Sequence, residues 1–351
     1  MNKIFNLFGG RTIKTGVAVF ITAWICLYLN LPAIFAVITA IVTIEPTASD
    51  SMKKGIIRLP AAAIGAAFSM TLTHYLGHGA TVYALSAVLT IATCYKLKLF
   101  DGILVATLTA VMMIPTTGDH HLLAFVSRLG TTTIGLIVST VVNLVILPPN
   151  YSKSITTNLS GLLQKCSVIL NGPLKANIEG EKNYNRDTVK QLEHLSRKLE
   201  TTTKLTEYIR EEWKYHRHTK KQIREYHYEL KKLYVLQQMV YHLKNLSYTK
   251  FADLRWNEAE KQKVIELIES ISAILSDSTH NISDDHLILV DQVNQQFLEW
   301  KDKQNKETTK KYHHHFSPET IVVYEILSIH DLIEELDEIC QQESKRGIVQ
   351  C

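Results

Sequence analysis

The sequence predicts an all-α protein built as two unlike halves: a six-span transmembrane helical domain over residues 1–150, then a cytoplasmic α-helical domain over 151–351. Three observations predict it. The first is segregated charge. Residues 1–150 hold nine Lys or Arg (Lys3, Arg11, Lys14, Lys53, Lys54, Arg58, Lys96, Lys98, Arg128) and four acids (Glu45, Asp50, Asp101, Asp119). Of the totals of 38 and 34, this leaves 29 basic and 30 acidic residues for the remainder. The second is a set of six apolar runs near the ~18–20 residues that cross a hydrocarbon core of ~30 Å. The third is helical periodicity after residue 150, where apolar residues recur at steps of three and four and no run alternates with period two. The near-neutral second half speaks against a nucleic-acid partner, which requires a basic face.

The apolar runs lie near 11–29, 31–45, 57–76, 80–96, 99–115 and 122–147. The first is not a cleaved signal: it lacks a small-residue cleavage site, and a second apolar run begins at once after Asn30-Leu31-Pro32. Lys3, Arg11 and Lys14 flank the first run; Lys53, Lys54 and Arg58 lie between the second and third, Lys96 and Lys98 between the fourth and fifth, and Lys153 after the sixth. The alternate connections hold no basic residue. Basic residues stay cytoplasmic during insertion, which predicts a multi-pass protein of the cell membrane with both termini in the cytoplasm. Membrane lipids are then an obligatory partner.

The first half also resembles itself. At an offset of 70, Ala36-Val37-Ile38-Thr39-Ala40-Ile41-Val42-Thr43-Ile44 aligns with Ala106-Thr107-Leu108-Thr109-Ala110-Val111-Met112-Met113-Ile114. At the same offset Arg58-Leu59-Pro60-Ala61-Ala62-Ala63-Ile64-Gly65 aligns with Arg128-Leu129-Gly130-Thr131-Thr132-Thr133-Ile134-Gly135. A duplicated three-span unit produces such a match, and so does the shared preference of membrane helices for Ala, Thr, Ile and Gly. If the unit is duplicated, three spans map onto three, an odd number, so the second copy is inverted, as in alternating-access transporters. Spans two and five are both short and both end at proline (Pro46, Pro115), a further pointer to a transport site.

After Pro148-Pro149 the stripes follow in order: Ile155 to Ile169, Val189 to Leu199, Ile223 to Leu243, Val264 to Leu275, Leu287 to Phe297 opened by Ser283, and Val322 to Cys340 opened by Ser317-Pro318. Each hides one face, which predicts a bundle of five or six helices. A serine cap followed by proline at the first helical position marks the last of them.

Candidate chemistry is sparse. There is no phosphate-cradling glycine loop and no nucleophile elbow, so no enzyme and no cofactor are predicted. His313-His314-His315 sits in a polar link, where adjacent side chains do not readily converge on one ion, and no metal site is predicted there. His74, His78 and Asp119-His120-His121 lie in the external connections, where they are either ordinary interfacial residues or a metal- or pH-sensing group. The basic and aromatic run Trp213 to Arg224 resembles a nucleic-acid or lipid patch, but Glu211, Glu212, Glu225 and Glu229 interleave with it, as on a solvated helix face. Ionisable residues within the membrane are the main candidates, because burying charge in lipid is costly. Arg58, Arg128 and Asn143 are candidates for substrate binding, and Glu45 and Asp101 for proton coupling. The alternative is that the charged four anchor helix ends at headgroups.

Arg11-Thr12-Ile13-Lys14-Thr15-Gly16, Ile44-Glu45-Pro46-Thr47, Arg58 with Ile64-Gly65, and Arg128 to Gly135 leading to Asn143 and Pro148-Pro149 together resemble the aromatic acid exporter family, also called fusaric-acid-resistance-like. The resemblance is closest to its small bacterial branch, with one six-span unit and a cytoplasmic C-terminal domain. It implies export of small aromatic or phenolic carboxylates driven by the proton gradient, with a small anionic aromatic substrate as partner. One unit in place of two leaves action alone or as a homo-oligomer open. The competing expectation is a membrane-anchored interaction or sensory protein whose bundle binds a cytosolic partner; inward-facing polar groups in spans two, three, five and six favour transport over that anchor.

Overall fold

The computed structural model describes residues 9–114, 121–146, 151–180, 185–215, 218–249, 251, 254–307 and 316–347. Among them the chain is all-α, with no strand. It divides into two compact units, Met1–Asn150 with Tyr208–Arg217, and Tyr151–Glu207 with His218–Cys351.

The first unit contains α1 (Gly10–Tyr28), α2 (Ala33–Thr43), α3 (Ala48–Leu76), α4 (Ala80–Lys96), a 3-10 turn (Phe100–Gly102), α5 (Ile103–Met113) and α6 (His121–Val145). Its polarity is inside out. On α1 the buried residues are Lys14, Ala18, Thr22 and Cys26, small or polar, while Phe20, Trp24, Leu27 and Tyr28 are exposed. Ile34, Ile41, Ile56, Val88, Leu104, Ile137 and Val141 are likewise exposed on the other helices. Water penalises this arrangement and a lipid environment rewards it, because the backbone of each helix is self-satisfied and the large apolar side chains meet hydrocarbon.

The six expected spans are not six equal helices. By length and composition α1, α3 and the Leu123–Val145 stretch of α6 suffice to cross a membrane; α2, α4 and Phe100–Met113 are shorter. At 1.5 Å per residue an 11-residue helix is about 16 Å long, roughly half a bilayer core. The apolar run of span two, expected over 31–45, loses its end because residues 44–47 are not helical: Ile44 is extended, and Pro46 has no amide with which to continue the ladder. Pro115, at the matching end of span five, lies outside the described residues, as do Lys3 and Pro148-Pro149.

The internal repeat is present in the packing. α3 packs on α5 and α2 on α6; α1 packs on α2 and α4 on α5; α3 packs on α4 and α1 on α6; α3 and α6 pack on each other. Exchanging the first three helices for the last three maps this set of pairings onto itself. The closest approaches obey the same exchange. A Cβ added to Gly65 would lie 2.1 Å from the carbonyl oxygen of Ala106, and one added to Gly135 would lie 2.4 Å from that of Ala36. Both residues of each contact are related by 70 positions, and only glycine permits either approach.

The turns after α1 and α4 also match, at an offset of 68. Asn30 and Lys98 hold φ of 50° and 58°, and the amides of Leu31 and Leu99 donate to the carbonyls of Cys26 and Cys94 at 2.8 and 2.9 Å. The buried face of α4 is Val82, Ser86, Thr90 and Cys94, each 68 positions after its partner on α1. The two-residue difference is taken up before α5, where the 3-10 turn lies. The halves are inverted: α3 and α6 are antiparallel, since Ser51 meets Asn143 and Gly55 meets Leu136. A two-fold relating two antiparallel helices runs across them and turns one half end for end.

The second unit holds α7 (Tyr151–Ile169), a π-helical turn (Leu170–Leu174) around Pro173, α8 (Lys175–Glu179), α9 (Asn185–Glu212), α10 (Lys220–Tyr248), α11 (Glu258–Ser276), α12 (Asp284–Glu307) and α13 (Pro318–Lys345). All six apolar stripes fall on helices. α10 packs on α13 and α7, and α11 on α7, α12 and α13. Ser317 caps α13 by accepting from the Thr320 amide, with Pro318 behind it, as its sequence predicts. Asn257 and Thr219 open α11 and α10 with reciprocal capping boxes to Glu260 and Gln222. The C-terminal end of α9 belongs to the first unit.

Candidate functional site

The polar centre of the first unit is built around the break between α2 and α3. Stopping α2 at Thr43 frees carbonyls that a membrane interior cannot hydrate, so side chains must satisfy them. The Val42 carbonyl accepts from Arg58 Nη1 (3.3 Å) and the Thr43 carbonyl from the Ser51 hydroxyl (2.9 Å). The carbonyls of Glu45 and Thr47 accept from Asn143 Nδ2 (3.0 and 3.1 Å), which also reaches Ser51 Oγ at 2.8 Å. Thr47 then caps α3, its hydroxyl accepting from the Asp50 amide at 3.0 Å.

Charge enters this network from α1, α3 and the break itself. Arg58 Nη2 lies 2.6 Å from Glu45 Oε1, and Lys54 Nζ lies 3.2 Å from Glu45 Oε2. Arg58 Nε donates to the carbonyl of Asp101 at 3.2 Å. Lys14, buried on α1, donates to Asn143 Oδ1 at 2.8 Å. Three of the five sequence candidates therefore meet: Glu45, Arg58 and Asn143. Asp101 contributes its backbone carbonyl, while the residue itself is exposed. Lys14 reads in the sequence as a topology marker; its position at the head of an apolar run four residues before Ala18, on the small-residue face, is the signal that it turns inward.

Residues of Tyr208–Arg217 complete the unit at the start of α3. Glu212 Oε1 accepts from the Ala48 amide at 2.7 Å. Glu211 Oε2 accepts from the Ser49 hydroxyl (2.7 Å) and Lys53 (2.9 Å), and its Oε1 accepts from Lys214 (2.7 Å). Lys214, then Lys53 and Ser49, hold the Glu211 carboxyl down to about 2. Two carboxylates at a helix N-terminus also meet its free amides and positive dipole end. The sequence reads these acids as part of a solvated face; their role depends on residues more than 150 positions away, which periodicity cannot reveal.

Arg128 stands apart from this network. It is 4% exposed, its Nη2 donates to Thr109 Oγ1 at 2.6 Å, and its guanidinium carbon lies 4.0 Å from the centre of the Phe35 ring. Among the described residues its Nε and Nη1 have no hydrogen-bond partner. Buried hydroxyls of Thr22, Ser69, Thr73, Ser86 and Thr90 likewise have no partner among the described residues. Of the histidines in the connections expected to be external, His74 and His78 are exposed. Asp119, His120 and the side chain of His121 lie outside the described residues, as do His216, Arg217 and His313-His314-His315.

Residues 6–146 match the family model described as Aromatic acid exporter family member 1. Over its whole length the chain is similar to UPF0421 proteins. One from Bacillus cereus is 47% identical over 97% of each chain. One from Oceanobacillus iheyensis is 38% identical over 95% of this chain and 96% of its own, and one from Staphylococcus haemolyticus is 38% identical over 78% and 84%.

Proposed function

The chain belongs to the aromatic acid exporter family, in its UPF0421 branch, and from that footing we propose that it exports small anionic aromatic or phenolic compounds across the cell membrane. Residues 1–150 carry the compound, both termini face the cytoplasm, and residues 151–351 serve assembly or regulation. The observation that carries this reading is the polar interior of the first unit. Thr39 and Thr43 on α2, Arg58 and Ser69 on α3, Thr109 on α5, and Arg128 and Asn143 on α6 are all buried. A membrane anchor has no need of them, and each costs free energy in a low-dielectric interior. The inverted halves and the short α2 and α5 in matching positions support the same reading, since half-helices at the centre of inverted repeats form the sites of many transporters. Glu45, held between Arg58 and Lys54, is the proposed coupling carboxylate, because a proton on it would release both cations.

Accumulation of radiolabelled benzoate and 4-hydroxybenzoate in cells with and without the protein tests the proposal. The expectation is lower accumulation when the protein is present, restored by a protonophore and by Glu45→Gln. Equal accumulation with and without the protein contradicts it.

A further inference from the structure

The two arginines occupy equivalent places in the two halves, yet their surroundings differ. At Arg58 every guanidinium nitrogen has a partner: Nε the Asp101 carbonyl, Nη1 the Val42 carbonyl and Nη2 the Glu45 carboxylate. At Arg128, among the described residues, only Nη2 has a hydrogen-bond partner, the hydroxyl of Thr109, and no acid pairs with the group. The offset of 70 aligns Glu45 with Pro115, so the position of the carboxylate that pairs with Arg58 is a proline in the second half. Burial is the same for both, at 6% and 4% exposed. A guanidinium buried to this degree calls for an anion or for water, because an uncompensated charge in a low-dielectric interior is strongly disfavoured. Phe35 lies over the face of the group and supplies a flat apolar wall beside it.

We propose that Arg128 is the carboxylate-binding group of the transport site, with Phe35 against the apolar body of the ligand, and that the Glu45 carboxylate against Arg58 is the internal counterpart closing the equivalent position in the other half. The ligand class is a monoanionic carboxylate with a planar apolar body; this assignment rests on the export reading. The asymmetry also gives the inverted halves different tasks: one arginine is satisfied by the protein's own Glu45 carboxylate, and the other is satisfied when cargo is bound.

The test is equilibrium binding of radiolabelled benzoate to the full-length protein in detergent, with uncharged benzamide as competitor. The wild type is expected to bind benzoate and to be displaced by benzamide at least ~10-fold less well than by unlabelled benzoate, because the neutral amide forfeits the charge-assisted hydrogen bonds. Arg128→Gln is expected to weaken binding at least ~10-fold, and Arg128→Lys less than that. Thr109→Glu, which brings an internal carboxylate to Nη2, is expected to abolish binding while keeping the wild-type elution volume and melting temperature; it decides the matter if Arg128→Gln does not fold. Lys96→Gln, on the exposed end of α4, should bind as wild type. No binding of benzoate by the wild type, equal competition by benzamide, or binding that survives Thr109→Glu overturns the proposal. Benzoate bound through Arg128 without efflux from cells would sink the export reading and leave the site; efflux undiminished in Arg128→Gln would sink the site and leave export.

Discussion

At the scale of single residues, the second unit contains a hydrogen-bonded chain, centred on two buried histidines, whose protonation affects stability. Ser270 Oγ lies 2.7 Å from His286 Nδ1, His286 Nε2 lies 3.1 Å from His330 Nδ1, and His330 Nε2 lies 3.2 Å from Glu334. Burial first, and charge on His330 second, hold His286 down to about 4. An unfolded histidine titrates near 6.5, so between about 6.5 and 4 the unfolded chain binds more protons than the folded one. Stability of the bundle therefore falls as pH falls through that window, by about 1–3 kcal/mol. Hydrogen-exchange protection factors of α11 and α13 in the full chain check this: they should drop between pH 7 and pH 5, with a shallower drop in His286→Gln. Equal slopes in the two proteins would remove His286 from the account. None of this chain is legible from the sequence, because Ser270, His286 and His330 sit on three helices and meet only when their stripes pack.

At the scale of elements, the legible and the illegible separate for physical reasons. Every stripe of the second half is a helix, because a solvated helix must present its apolar residues at steps of three and four. In the first half, hydropathy locates apolar runs but cannot tell a helix from an extended segment lying in the same environment, so span two reads as continuing to 45 although its helix stops at Thr43. The repeat is legible where small residues pack closely and less so elsewhere. Spans one and four correspond at 68, which an ungapped comparison at 70 passes over. Thr22 with Thr90, Cys26 with Cys94, Leu29 with Leu97 and Leu31 with Leu99 are identities it misses.

Gly65 and Gly135 give this scale its prediction. A methyl group at either would press on a backbone carbonyl that cannot turn aside, whereas one at Gly130, in the middle of α6, meets nothing within 4 Å. Gly65→Ala and Gly135→Ala should each lower the stability of the first unit by about 1–3 kcal/mol. Gly130→Ala should be neutral or stabilise by up to about 1 kcal/mol. Melting temperatures in detergent separate these outcomes. A tolerated Gly65→Ala beside a damaging Gly135→Ala would break the equivalence of the two contacts.

At the scale of the whole molecule, charge segregation is legible in the sequence because it is a property of long stretches; that Tyr208–Arg217 groups with Met1–Asn150 is not. The candidate site was legible only as isolated charges. Glu45, Arg58 and Asn143 stand out because ionisable and amide groups are rare in apolar runs, but their convergence depends on the break at 44–47 and on the antiparallel meeting of α3 with α6. The difference between Arg58 and Arg128 follows from that convergence, since among the described residues only Arg58 meets a carboxylate.

The orientation of these helices in the membrane bears on every functional statement, and cysteine accessibility measures it. In a chain whose five cysteines are replaced by alanine, His78→Cys and Lys98→Cys mark the two ends of α4. A membrane-impermeant maleimide applied to intact cells should label His78→Cys and leave Lys98→Cys untouched until the membrane is permeabilised. Labelling of Lys98→Cys from outside, or of neither or both positions alike, would contradict an inverted pair of membrane-crossing halves with cytoplasmic termini.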